Sequence, residues 1–222
     1  MRWLIAALCA FKLAVRINGR TGAAVDLGDV MLVALLFLVK PQGADPAFDA
    51  ALKLPGPAHA LQASLCLVGL FLLGRALAGL VGMDEPDRMR NVRPGGAALA
   101  LIRLKKWEAM PAAVLFCIPG AALEEMAFRW ILQGALTKAV GGPLAVLLQA
   151  AAFAAMHALP AHVMRHSRGV RSFAWIFPFV SAIVLTHMIT AGWGLVAPVL
   201  VHSMLNTLAA WRWKFRSKEG II

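Results

Sequence analysis

The chain has 222 residues, of which 60% are hydrophobic and 15% charged, with a mean hydropathy of +0.73. A soluble domain is about 45–50% apolar and about 25% charged, and one of this length cannot bury the excess, because too much of its chain must face the solvent. The solvent is therefore lipid for most of the surface, which excludes a soluble enzyme, a secreted disulfide scaffold and a disordered tail. The formal charge of +11 does not indicate nucleic acid. A nucleic-acid binder gathers its basic residues on one face, whereas here they occupy short segments between apolar runs, as in the loops of membrane proteins. Cys9, Cys66 and Cys117 lie inside apolar stretches without a CxxC pair and read as small core residues.

About 20 apolar residues cross a bilayer as a helix. The hydropathy pattern predicts an all-α polytopic bundle of about seven spans, with six to eight allowed, at 3–15, 23–39, 59–82, 109–137, 144–160, 173–191 and 195–211. The first is short and carries Lys12. It lacks the small-residue cleavage site of a signal peptide, so it is read as a membrane helix. The segments 16–22, 83–108, 161–172 and the C-terminal tail hold fifteen basic residues; the alternate set holds four, Arg2, Lys40, Lys53 and Lys138. This asymmetry predicts a cytoplasmic C-terminus and an external N-terminus. Trp3, Trp107, Trp175, Trp193, Trp211 and Trp213 fall at span ends, where indole prefers the headgroup level. In 97–108, Leu and Ile alternate with Arg103, Lys105 and Lys106, a pattern suited to a helix lying on the inner leaflet. No repeat or boundary divides the chain, so 1–222 reads as a single integral membrane domain.

Ionisable side chains at membrane depth are costly and mark function. Lys12 and Arg75 have stems long enough to snorkel and need no such role. In Ala121–Trp130, Glu125 and Arg129 are four apart and share a helix face, where they can pair. Glu124 points about 100° away, free to face a cavity as a general base. A structural ion-pair knot is the alternative. Pro119-Gly120 can break the helix and would then place Glu124 near a helix N-terminus. Phe153 and His157 share one face, as do His202 and Asn206. Adjacent donors such as His202 and Asn206 can stabilise an oxyanion or simply clasp two helices. His187 reads as packing, and the pair His162 and His166 lacks a third ligand for a metal.

Taken together, EExxxR at 124–129, FxxxH at 153–157 and HxxxN at 202–206 resemble the motifs of the CPBP family, the CAAX-type and bacteriocin-processing proteases also described as glutamic-type intramembrane proteases. Pro198, four residues before His202, is similar to family members as well. The likeness covers about 105–211, and the helices of 1–82 carry no motif. It implies an intramembrane endopeptidase in which Glu124 activates water and His157 orients or shares its proton. His202 and Asn206 would form the oxyanion hole, and Glu125, Arg129 and Phe153 would support the site. Trp130 departs from the glycine that many relatives carry after the arginine. No cofactor and no metal is implied. The expected partners are the lipid bilayer and a membrane-associated protein or peptide substrate, not nucleic acid.

Ala-, Gly- and Arg-rich usage points to a GC-rich bacterial genome and hence to a bacterial cytoplasmic (inner) membrane, where a prenylated substrate is the less expected one. Two other readings use the same residues. A zinc protease would take Glu124, His157 and His202 as ligands, although no HExxH occurs and Asn206 stands where a second histidine would be needed. A transporter or scaffold would use the polar cluster for ions or helix contacts, although transporters tend to show paired halves and the motifs here all lie in the second half.

Overall fold

A computed structural model describes residues 54–82, 110–159, 161–164 and 167–218. The candidate spans at 3–15 and 23–39 and the surface helix at 97–108 lie outside these residues. All regular structure among the described residues is helical. In chain order there are α1 (Pro57–Leu80) and α2 (Met110–Glu125), then a π-helical segment (Met126–Leu132) that runs on into α3 (Gln133–Val140), and α4 (Gly142–Ala158). The short α5 (Ala161–Met164), α6 (Arg168–Thr190) and α7 (Val196–Lys218) follow. Two of these helices, α1 and α6, are long and apolar enough to cross a membrane. Shorter apolar helices span Gly142–Ala158 and Val196–Ala209.

The helix boundaries have local causes. Pro57 and Pro143 occupy the first turns of α1 and α4, where the missing N–H removes no intrahelical bond. Ser167 caps α6 by accepting from the Val170 N–H at 3.5 Å. Gly141, at φ +86°, makes the sharp turn between α3 and α4, a conformation that L side chains rarely adopt.

Three buried clusters join the helices. Ala121, Leu123 and Met126 pack on Leu195 and Val199, tying α2 and the π segment to the start of α7. Ala150, Phe153 and Met156 pack on Ala182, tying α4 to α6. Leu70, Leu185, Met188, Val201 and Leu205 join α1, α6 and α7. On the outside, Leu61, Leu65, Val68 and Leu72 of α1 and Leu144, Leu147 and Leu148 of α4 are exposed. These leucine- and valine-rich faces match acyl chains, not water.

Two expectations, on Pro119 and on His187, differ from the structure. The helix continues through Pro119, so Glu124 lies in mid-helix and not at an N-terminus; proline is tolerated inside membrane helices because neighbouring groups re-satisfy the freed carbonyl. Trp193 lies in the turn between α6 and α7, where Gly192 and Gly194 have φ +82° and +73°; it is buried, and the indole stacks on His59 of α1 with ring centroids 5.5 Å apart. His187 is exposed on α6 and not packed; its contribution is a backbone carbonyl that accepts from Thr190 Oγ1 at 3.1 Å.

Glycine sets how closely α1 and α6 approach. A methyl group on Gly169 would collide with the backbone carbonyl of Val81 at the end of α1, and one on Gly74 would meet the Phe177 ring at 2.9 Å. The Phe177 ring can rotate; a helix-end carbonyl cannot. Gly169→Ala is therefore expected to cost about 1–3 kcal/mol, the usual range for overpacking, and Gly74→Ala less. Thermal unfolding of the purified variants in micelles checks the order.

Candidate active site

The helices bring Glu124, Glu125, Arg129, Phe153, His157 and His202 together. Glu125 sits at the last position of α2 and Arg129 within the π segment, four residues on, so their side chains meet. Arg129 Nε lies 3.2 Å from Glu125 Oε2, and both side chains are fully buried. The other oxygen of Glu125 accepts a 2.7 Å hydrogen bond from His202 Nδ1. One carboxylate thus joins α2 to α7, and it fixes the His202 ring: with Nδ1–H given to Glu125, only Nε2 is left to face elsewhere.

It faces Glu124. His202 Nε2 is 3.7 Å from Glu124 Oε2, and His157 Nε2 is 3.8 Å from the same oxygen. His157 is oriented by its own helix. A backbone carbonyl only accepts, so the 2.9 Å contact with Phe153 O assigns the proton to Nδ1 and turns Nε2 toward Glu124. The His157 side chain is 28% exposed against 7% for Glu124 and for His202, so the cluster opens at His157.

Phe153 is the apolar floor. Its ring contacts Phe128, His157 and His202 with centroids 5.2, 4.5 and 5.9 Å away, and the Arg129 guanidinium carbon lies 4.0 Å above it. A cation over a desolvated ring gains about 2 kcal/mol, which offsets part of the cost of burying that charge. Asn206 lies one turn beyond His202 on α7, with an exposed side chain. Of the histidine pair 162 and 166, His166 and the His162 side chain are outside the described residues.

Two links escape sequence reasoning. The Glu125–His202 bond spans 77 positions, and no local periodicity announces it. Nor does any residue pattern announce the π-helical turn, a form found mostly as short bulges and frequently at functional sites.

The site thus has two buried carboxylates on one helix, one neutralised by arginine and the other flanked by two imidazoles from two other helices. That arrangement can hold and deprotonate a water molecule, and it lies in a helical membrane protein. Residues 106–208 match the family model described as type II CAAX prenyl endopeptidase Rce1-like, a stretch that contains all three motifs. The match supports assigning this stretch, a little under half of the chain, to the CPBP/CAAX protease family. No curated protein and no solved structure matches the chain. The match and the apolar helices together support a membrane protein similar to proteases of this family.

Proposed function

We propose that the protein is a glutamic-type intramembrane endopeptidase that hydrolyses a peptide bond of a membrane-associated protein or peptide. One observation carries the reading: Glu124 Oε2 has an imidazole Nε2 on either side at 3.7 and 3.8 Å. These separations are beyond direct hydrogen bonding and suit one water held among the three groups.

Glu124 takes a proton from that water as its oxygen attacks the scissile carbonyl. The charge that develops on the carbonyl oxygen is met by His202 Nε2–H, when that ring carries both protons, and by the Asn206 amide. His157 shares the proton with Glu124 and passes it to the departing amine nitrogen as the C–N bond breaks. Glu125 and Arg129 touch no reacting atom. They position His202, and Phe153 keeps bulk water from the floor of the site. Substrate enters past His157, where the cluster is open.

Within the family's CAAX endopeptidase class, the proposed substrate is a bacterial membrane-associated polypeptide, cleaved in peptide maturation, self-immunity or sorting-signal removal. The proposed setting is the inner membrane, crossed about seven times, with 1–222 as one domain, 105–211 as its protease core and the N-terminus outside. Reporter fusions at residue 222 and within 40–57 are expected on opposite sides of the membrane; same-side results overturn the span count.

The substrate is found by comparing protein termini in membranes from cells with and without the protein. With that substrate, exhaustive chelation should leave activity intact. If chelation abolishes it and zinc restores it, Glu124, His157 and His202 are metal ligands instead. Asn206→Ala should lower turnover by about 10²–10³-fold, the cost of one oxyanion donor. KM should change little, since that bond strengthens mainly in the transition state. A fully active Asn206→Ala reduces the pair to a helix clasp.

A further inference from the structure

The Gly141 turn folds α3 and the π segment back along α4, and the two arms are in symmetrical register. Arg129 and Phe153, which touch, lie twelve residues on either side of Gly141; Gln133 and Gln149 lie eight on either side; Glu125 and His157 lie sixteen. The glutamines therefore lie about one turn closer to Gly141 than Arg129 and Phe153, and about two turns closer than Glu125 and His157. A column of polar side chains thus runs from the site toward the Gly141 end.

Its lower members have unpaired polar atoms. Arg129 Nη1 and Nη2, Gln133 Oε1 and Gln149 Nε2 are all buried without a hydrogen-bond partner among the described residues, in residues 3%, 8% and 0% exposed. Each such group costs about 1–3 kcal/mol, more when charged, and three residues in one column are not explained by packing. Gln149 spends its carbonyl on Thr186 Oγ1, 3.0 Å away on α6. Gln133 spends its amide on Thr137 Oγ1 at 3.3 Å, and Thr137 is exposed.

We propose that Arg129, Gln133 and Gln149 bind a file of water molecules that runs from Thr137 to the carboxylates and supplies the water consumed in hydrolysis. The role in supply rests on the proposed hydrolase reading; the water site does not. The column offers free donors and a free acceptor together, as a buried water that makes about three hydrogen bonds requires. The apolar outer faces of α1 and α4 deliver none. Water then arrives at the end opposite to His157, where substrate enters, so a bound peptide does not block its own reagent.

The test is pulsed hydroxyl-radical footprinting of the full chain in lipid nanodiscs, read by mass spectrometry, which labels buried side chains that lie beside bound water. Phe153, 2% exposed, adjoins the column, whereas Met188, 1% exposed, lies in the separate α1–α6–α7 cluster. Phe153 should be labelled above Met188, although methionine is the more reactive side chain, and the label should be lost in Gln133→Leu/Gln149→Leu. In that variant kcat should fall with KM unchanged. Phe153 labelled no more than Met188, or equally in variant and wild type, overturns the proposal. Should the double variant not fold, the wild-type comparison decides alone. Labelling needs no turnover, so it should persist in Glu124→Gln. An active Glu124→Gln that keeps the label removes the catalytic reading and leaves the water file standing.

Discussion

Glu124→Gln is expected to reduce substrate cleavage by about 10²–10⁴-fold, the range contributed by general acid–base catalysis, and to leave the folded protein at normal abundance. The amide keeps the size and shape of the carboxyl but cannot take a proton from water. The ion pair of Arg129 is with Glu125, which acts on that cation more strongly than Glu124 does, so neutralising Glu124 does not orphan it, and the tie between α2 and α7 runs through Glu125. Turnover and thermal unfolding measured on the same preparation check both halves. Wild-type turnover by this variant ends the catalytic assignment.

Glu125→Gln should fail in a different way. Glutamine still accepts from His202 Nδ1, so the ring stays oriented, but the fully buried Arg129 guanidinium loses its counter-charge. Removing one partner of a buried ion pair costs about 3–5 kcal/mol because an uncompensated charge remains, a large part of the stability of a small domain. Unfolding in micelles should occur at markedly lower temperature than for wild type or Glu124→Gln. Adding Arg129→Met removes the stranded charge, so the double variant should be more stable than Glu125→Gln alone, a coupling that a double-mutant cycle measures. Equal stability of the two carboxylate variants would show that the pair contributes nothing.

Local geometry was legible in the residues; distant geometry was not. The apolar runs gave an all-α chain, because in lipid every backbone group must be paired within its own segment. Helical spacing gave the common face of Glu125 and Arg129 and that of Phe153 and His157, because both pairs lie within one turn. The bond from His202 to Glu125 depends on how α7 meets α2, which no local period encodes; HxxxN reads as a self-contained pair when only its own helix is considered. The stacking of Trp193 on His59 likewise depends on where α1 lies, which the position of an indole at a span end does not encode. Pro119 is a breaker in water and a tolerated interior residue among packed helices.

The π-helical stretch has a consequence for comparing this protein with its relatives. A π bulge is an α-helix with one residue too many, so everything after Leu132 is rotated by about 100° from where continuous α geometry would put it. The buried position of Gln133 and the exposed positions of Thr137 and Lys138 follow that rotated phase. A homologue with one residue fewer and a continuous α-helix between Glu125 and Gly141 would present the same stripe of α3 to its core, the missing residue falling in the bulge, whereas one of equal length without the bulge would present a different stripe and its aligned residues there would not occupy equivalent places. Family similarity in this region is therefore best judged separately on either side of the bulge.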